Sequence, residues 1–232
     1  MYDDPIVINN LGIIKEFEDY VSYNHKSKCK INHPILDRFY QQQIVQKCVT
    51  FNRIKPFINK DSKILDISTG MGFFPLICLL SGYKNIEYSE IGYWRHRDFD
   101  CDENRAIIYQ NGFDWLYEHF KTKPFTFKFQ KNKPCELPKK YDIITCIGAG
   151  FLNYFSGEET DFLIDDILKY TNIFYLRTNH SDRSERKLNL DSKMVPFEYY
   201  PSVHWRYKTY ESKCKLTWSA QGRYIYFNEQ NK

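Results

Sequence analysis

Lys63 to Ile91, KILDISTGMGFFPLICLLSGYKNIEYSEI, is the stretch whose reading decides the fold. Its apolar run Ile64-Leu65-Asp66-Ile67 predicts a short buried strand. The run breaks at Ser68-Thr69-Gly70-Met71-Gly72, where two glycines let the backbone turn tightly and approach a ligand. Phe73 to Leu80 predicts a buried helix, with Pro75 tolerated in its first turn and Gly82 as the stop. Asn85 to Ser89 predicts a second strand ending at Glu90, twenty positions after Gly70. A carboxylate at that strand tip accepts both hydroxyl hydrogens of a ribose in dinucleotide folds. Gly-x-Gly alone matches by chance too often to mean much. A strand before it, a helix after it and an acid at this distance make it far stronger.

The stretch resembles motif I of the class I S-adenosylmethionine-dependent methyltransferases, an acid followed by Gly-x-Gly-x-Gly. Asp66 stands at the acid, Ser68 where the first glycine usually is, and Gly70 and Gly72 match the other two. Serine is a mild departure, because it still packs in little space. The resemblance implies S-adenosyl-L-methionine as cofactor, with Asp66 near the methionine amino end. It implies the backbone of Ser68, Thr69, Gly70, Met71 and Gly72 against that cofactor, and Glu90, with Ile91 after it, at the ribose. The plainer readings are a nucleotide-free Rossmann-like unit and a dinucleotide enzyme. A typical dinucleotide fingerprint has three glycines and ends Gly-x-x-Gly, so the methyltransferase reading is preferred to both.

The 232 residues are long enough for a sizeable core in one domain. Charged residues at 27% and hydrophobic ones at 42% fit a soluble globular protein. The aromatic share, 18%, is high. A net charge of +4 is too modest to imply nucleic acid. The seven cysteines form no Cys-x-x-Cys pair, and Cys78 and Cys146 lie in apolar runs as small core residues. A disulfide framework or zinc site is therefore not expected, and a reducing, cytoplasmic setting is. MYDDPIVINN has no basic region followed by an apolar core, and no apolar run approaches the roughly 20 residues a membrane span needs.

The chain divides into an extension or cap, residues 1–40, and a methyltransferase domain, residues 41–232. The extension is either a helical cap over the ligand or a peripheral segment packed on the sheet. Gln41 to Phe57 predicts an amphipathic helix with Ile44, Val45, Cys48 and Val49 on one face, ended or bent by Pro56. Gly92 to Asp98 is a dense aromatic and charged loop at the carboxyl edge of the sheet, either a ligand contact or a solvated turn. Glu103 to Phe120 predicts a helix interrupted at Asn111-Gly112. Phe125 to Phe129 predicts the third strand. In the following loop Leu137-Pro138 matches the family. The usual acid is missing, and Asn132 is the remaining candidate for the adenine amino edge.

Tyr141 to Ile147 is the expected fourth strand and resembles motif IV. Ile147 and Gly148, with Ala149 and Gly150 after them, leave room for the sulfonium and the acceptor. The Asn/Asp-Pro-Pro-Tyr/Phe signature and a Pro-Cys after that strand are both lacking, which argues against DNA methylation. Ser156-Gly157-Glu158-Glu159 is a capping box. Its helix is expected to bury Phe162, Leu163, Ile167 and Tyr170 and expose Asp161, Asp165 and Asp166. Asn172 to Leu176 predicts the fifth strand, and Lys215 to Ala220 with Arg223 to Asn228 a closing hairpin. The fold class is α/β: a Rossmann-like, seven-stranded, mostly parallel sheet with helices on both faces and a C-terminal antiparallel hairpin.

Methyl transfer needs in-line placement in a desolvated pocket and, for an oxygen or nitrogen acceptor, a base for its proton. His180, His204 and Tyr154 are the candidates at the carboxyl edge, with His96 behind them; for each alone a structural hydrogen bond is the commoner role. No residue pair has metal-ligand spacing. Met194 to Tyr210, two prolines among many aromatics, is either one wall of the acceptor pocket or a packing layer. The preferred function is methylation of an O or N atom of a small-molecule acceptor, a metabolite or sugar. The alternatives are an RNA or protein methyltransferase and a non-catalytic cofactor-binding subunit or sensor. Nucleic acid is a less favoured partner, no membrane is expected, and the sequence leaves the oligomeric state open.

Overall fold

The computed structural model describes residues 4–29, 35–89, 102–125, 134–147, 157–177, 214–219 and 223–228. It divides into two compact units, Met1–Thr126 and Phe127–Lys232.

The first unit opens with two helices, α1 (Pro5–Asn9) and α2 (Leu11–Cys29). Asp4 caps α1 by accepting the Ile6 N–H at 2.9 Å, with Pro5 in the first turn. Phe17 ties α2 down: its ring meets Phe73 edge-on at 5.0 Å and Trp115 at 5.1 Å. Each such pair adds about 0.5–1.5 kcal/mol beyond area burial. Residues 1–40 are thus helical in their described part.

Helix α3 runs Ile35–Ile54, starting earlier than expected, and gives way to a 3-10 turn at Lys55–Phe57. Pro56 disfavours the α conformation in the residue before it, and the helix ends there. Its buried face is Ile44, Cys48, Phe51 and Ile54, whereas Val45 and Val49 are each 37% exposed. The expected face was turned by one residue, because the aromatic anchor is Phe51, edge-on to Tyr83 at 5.3 Å.

Strand β1 (Ile64–Ile67), helix α4 (Phe73–Leu80) and strand β2 (Ile86–Ser89) lie where the sequence put them. The strands pair in parallel, Ile64 with Ile86 through Ile67 with Ser89. All four β1 residues are buried, Asp66 among them, which is why the run shows no polar alternation apart from that one acid. Gly82 takes the left-handed φ of 84° that stops α4.

Helix α5 (Asp102–Phe120) is unbroken, contrary to the expected interruption at Asn111-Gly112. Gly112 serves a close approach. A β-carbon there would stand 2.0 Å from the Met71 carbonyl oxygen. After α5, Pro124 bridges Tyr88 in parallel and the Phe125 N–H donates to the Tyr88 carbonyl at 2.7 Å. Residues 126–129 of the expected third strand lie outside the described residues.

The second unit holds β3 (Tyr141–Ile147), α6 (Gly157–Leu168), β4 (Thr171–Arg177), β5 (Cys214–Ser219) and β6 (Arg223–Asn228). β3 pairs with β4 in parallel, β4 with β6 antiparallel, and β6 with β5 antiparallel, with an irregularity between Leu216 and Trp218. Six strands are therefore described, not the seven expected. Helix α6 buries Leu163, Ile164, Ile167 and Leu168, while Phe162 is 37% exposed and Tyr170 half-buried. Asp166, expected outward, is buried. It accepts the Cys135 backbone N–H and the Lys169 ammonium at 3.0 Å, so its charge is compensated in place. Among the described residues no helix is long and apolar enough to cross a membrane.

Gly112→Ala separates two effects. Helix propensity alone favours alanine by about 1 kcal/mol. The clash with the Met71 carbonyl opposes it, and overpacking of this kind costs about 1–3 kcal/mol. Net destabilisation is expected in urea titration, while Gly12→Ala, with nothing within 4 Å of the added carbon, gains up to about 0.5 kcal/mol.

Candidate functional site

The candidate site is the junction between β1 and α4. Ser68, Gly70 and Gly72 have φ of 63°, 63° and 93°, three left-handed residues in five positions. An L side chain costs about 1–2 kcal/mol in that region, so two of the three being glycine follows directly. Gly72 is the N-cap of α4, and its carbonyl accepts the Leu76 N–H at 3.0 Å. The Thr69 N–H donates to the Ser89 carbonyl at 3.1 Å, tying the loop to the end of β2. Ser68 departs from the family's glycine at a position where the backbone is left-handed, so the departure is one of strain rather than size.

Asp66 is fully buried on β1, in register with Tyr88. Burial, and then the Asp66 charge, hold the Cys78 thiol well above its ordinary range. Cys48, Cys78, Cys135 and Cys146 are buried free thiols. Burial and the nearby Asp4 push Cys48 up to about 12, so it stays a neutral thiol at physiological pH.

Helix α5 closes over this loop, which the sequence reading missed. The Tyr109 ring lies 3.8 Å from where a β-carbon on Gly70 would be, and Leu116 lies 2.7 Å from the one on Gly72. The signal was present in Gly112: a glycine inside a helical pattern marks either a break or a close approach. Thr69, Ser89 and Asn111 are buried. Thr69 Oγ1, Ser89 Oγ and Asn111 Nδ2 have no hydrogen-bond partner among the described residues.

The other expected site residues fall elsewhere. Ile147 is buried at the end of β3, paired with Arg177, in the second unit. Glu90, Ile91, Asn132, Gly148, Tyr154, His180 and His204 lie outside the described residues, as do 92–98 and 194–210. Glu87, three residues before Glu90, is half-buried within β2 opposite Leu65. Among the described residues no group of three His, Cys, Asp or Glu could hold a metal.

The PH0226 protein from Pyrococcus horikoshii OT3 is similar in structure, with a TM-score of 0.51 at 13% identity, over 82% of this chain and 91% of that one. The two share an α/β fold. Magnesium protoporphyrin IX methyltransferase (ChlM) from Synechocystis PCC 6803, solved with bound SAM, has a TM-score of 0.48 at 11% identity, over 92% and 93% of the two chains. The 16S rRNA methyltransferase RmtF, in complex with S-adenosyl-L-homocysteine, has a TM-score of 0.46 at 11% identity, over 92% of this chain and 74% of its own. No protein-family model and no curated protein matches the sequence. At these identities the likeness concerns the fold alone.

The left-handed φ at Ser68 gives a direct test. Ser68→Gly relieves the backbone while Ser68→Ala does not. The glycine variant is expected to exceed the alanine variant by about 0.5–1 kcal/mol after its larger unfolded-state entropy is counted. Equal denaturation midpoints would place residue 68 in ordinary backbone.

Proposed function

We propose that the chain is an S-adenosylmethionine-dependent methyltransferase whose acceptor is a small molecule. The observation that carries the reading is the backbone from Ile67 to Phe73. Left-handed residues at 68, 70 and 72 turn a buried strand straight into a buried helix, and Asp66 is buried immediately before the turn. A loop bent this way offers backbone N–H groups and a helix N-terminus to a ligand. The side-chain oxygens of Thr69 in the loop and Ser89 at the end of β2, buried without partners among the described residues, fit a polar ligand.

In this reading Asp66 faces the amino end of the cofactor and the Ser68–Gly72 backbone lies along it. Glu90 follows the last residue of β2 and holds the ribose, while Asn132 meets the adenine edge. Ile147 and Gly148 leave space at the reacting end. Bound S-adenosylmethionine supplies the electrophilic methyl group. The chain's part is to hold the acceptor in line, exclude water and take a proton where the acceptor is O–H or N–H. His180, His204 and Tyr154 are the groups proposed for that proton.

The acceptor class rests on charge and composition. Lys and Arg number 33 against 29 Asp and Glu, too even a balance for a strong phosphate-backbone footprint. Met194 to Tyr210 is rich in Tyr, Phe and Trp, which suit a concave pocket with a few polar groups such as His204 and Arg206.

Calorimetry with S-adenosylhomocysteine tests the cofactor. Glu90→Ala removes two charged hydrogen bonds, each worth about 1.5–3 kcal/mol, so affinity should fall by tenfold or more. Unchanged affinity would mean the ribose lies elsewhere. Filter binding tests the acceptor class, with weak RNA binding expected at physiological salt. Sub-micromolar, salt-sensitive binding lost on neutralising Arg206 and Lys208 would replace the small molecule with RNA.

A further inference from the structure

We propose that His119 is a proton-operated latch at the end of α5, which ties the N-terminal helix α2 down when charged and loosens it when neutral. The inference does not depend on what the glycine loop binds.

The His119 ring has an acceptor at each nitrogen. Its Nδ1 lies 2.9 Å from the Trp115 carbonyl oxygen, and its Nε2 lies 3.1 Å from the Glu16 carboxylate of α2. A carbonyl and a carboxylate only accept. Neutral imidazole has one N–H, so it satisfies one of the two and turns a lone pair on the other. Imidazolium has two and donates to both. Two further features favour the charged ring. It stacks on the Trp115 indole with centroids 3.7 Å apart and planes 16° apart, a cation–π arrangement. It also sits in the last turn of α5, where the helix dipole favours a cation.

The charges around the ring act the same way. Helix α2 brings Glu16, with Tyr20 one turn on. The Tyr20 phenol is held above its ordinary range by burial first, and then by the charges of Glu118 and Asp114. Those two acids of α5 therefore lie toward α2. Lys15 and Asp19 of α2 are exposed. The ammoniums at this end of α5 belong to Lys121, which donates to the Glu118 carbonyl at 3.0 Å, and Lys123. Both lie over the Tyr117 ring, at 5.7 and 5.1 Å. Tyr117 is two positions from His119, about 200° round the helix.

The latch bears on packing because Trp115 is shared. Its indole stacks on His119 and also meets Phe17 of α2 edge-on at 5.1 Å. Phe17 in turn meets Phe73, the first residue of α4. Helix α2 is thus held at Phe17 by apolar contact at every pH, and at Glu16 by a charged contact that weakens when the proton leaves. Histidine ordinarily titrates near about pH 6.5. The partners favour the charged form, so the stability they lend is in full force below that range and is lost as pH rises through and above it.

Thermal melts of the full chain at about pH 5.5 and 8.5, on either side of that range, test the latch. They compare wild type with His119→Gln, Glu16→Gln and the double variant. Glutamine at 119 keeps a donor but cannot be charged, so the other titrating groups cancel in the difference. At the lower pH each single variant should lower Tm by about 2–4 °C, and the double variant by no more than either. At the higher pH each loss should shrink by half or more. Hydrogen exchange in His119→Gln, compared with wild type at the lower pH, should be severalfold faster in α2 and unchanged in β1 and α4. Equal Tm losses at the two pH values overturn the inference. So do single losses that add in the double variant, and exchange that rises through the whole unit. No loss at either pH would make the contact an exposed ion pair of no consequence, and overturns it as well.

Discussion

The Met71 carbonyl and the α-carbon of Gly112 occupy adjoining space, with no room for one added carbon between them. That contact fixes the passage of α5 over the turn between β1 and α4. The other contacts of the helix follow from it. Phe113 reaches Tyr88, Trp115 reaches Phe17, and Leu116 fills the space above Gly72. The N-terminal helices are then held through Phe17, which touches α4 and α5 at once. A glycine that weakens an isolated helix by about 1 kcal/mol is here what lets the helix lie against the loop.

The strand-loop-helix-strand unit was legible to within one residue, β2 starting at Ile86 and not Asn85, because its signals are local. Phe73 to Leu80 is apolar throughout and Ile64 to Ile67 is apolar except for Asp66, and buried elements need no amphipathic phase to be recognised. Tyr141 to Ile147 was legible from its largely apolar, buried run after the exposed Asp142. What failed was the choice of face on half-buried helices. Val45 and Val49 are as apolar as Ile44 and Cys48, and only the ring of Tyr83 against Phe51 decides which side turns in. Asp166 failed in the same way: a buried carboxylate is excluded by composition rules unless its partners are known. Its partners, the Cys135 N–H and Lys169, include a backbone group 31 residues away.

The candidate site was legible as a motif and illegible as a surface. The motif identifies Asp66, Gly70 and Gly72 and marks Ser68 as an exception. Its reading of that exception was incomplete, because sequence shows the size of serine and not the sign of φ. Nothing in the motif points to α5, which enters the chain some thirty residues after the loop. The contribution of Tyr109, Gly112 and Leu116 is a tertiary fact. Only the glycine left a trace in the sequence, and that trace fits a break as well as a contact.

Costs that folding alone does not explain gather at this loop. Ser68 holds a left-handed backbone that serine resists. Thr69, Ser89 and Asn111 each bury a polar atom without a partner among the described residues. Ser81 and Tyr175 do so elsewhere, so an orphaned atom by itself marks nothing. The difference is concentration. Three orphans and one strained residue fall on segments joined by a hydrogen bond and a backbone contact, where apolar side chains would have removed the three polar costs and a glycine at 68 the strain. Local departures of this kind collect where a structure is shaped for a ligand instead of for its own stability. Under the proposed function, a molecule that satisfies these groups would stabilise the chain, since it would bind the folded state and have no counterpart site in the unfolded one.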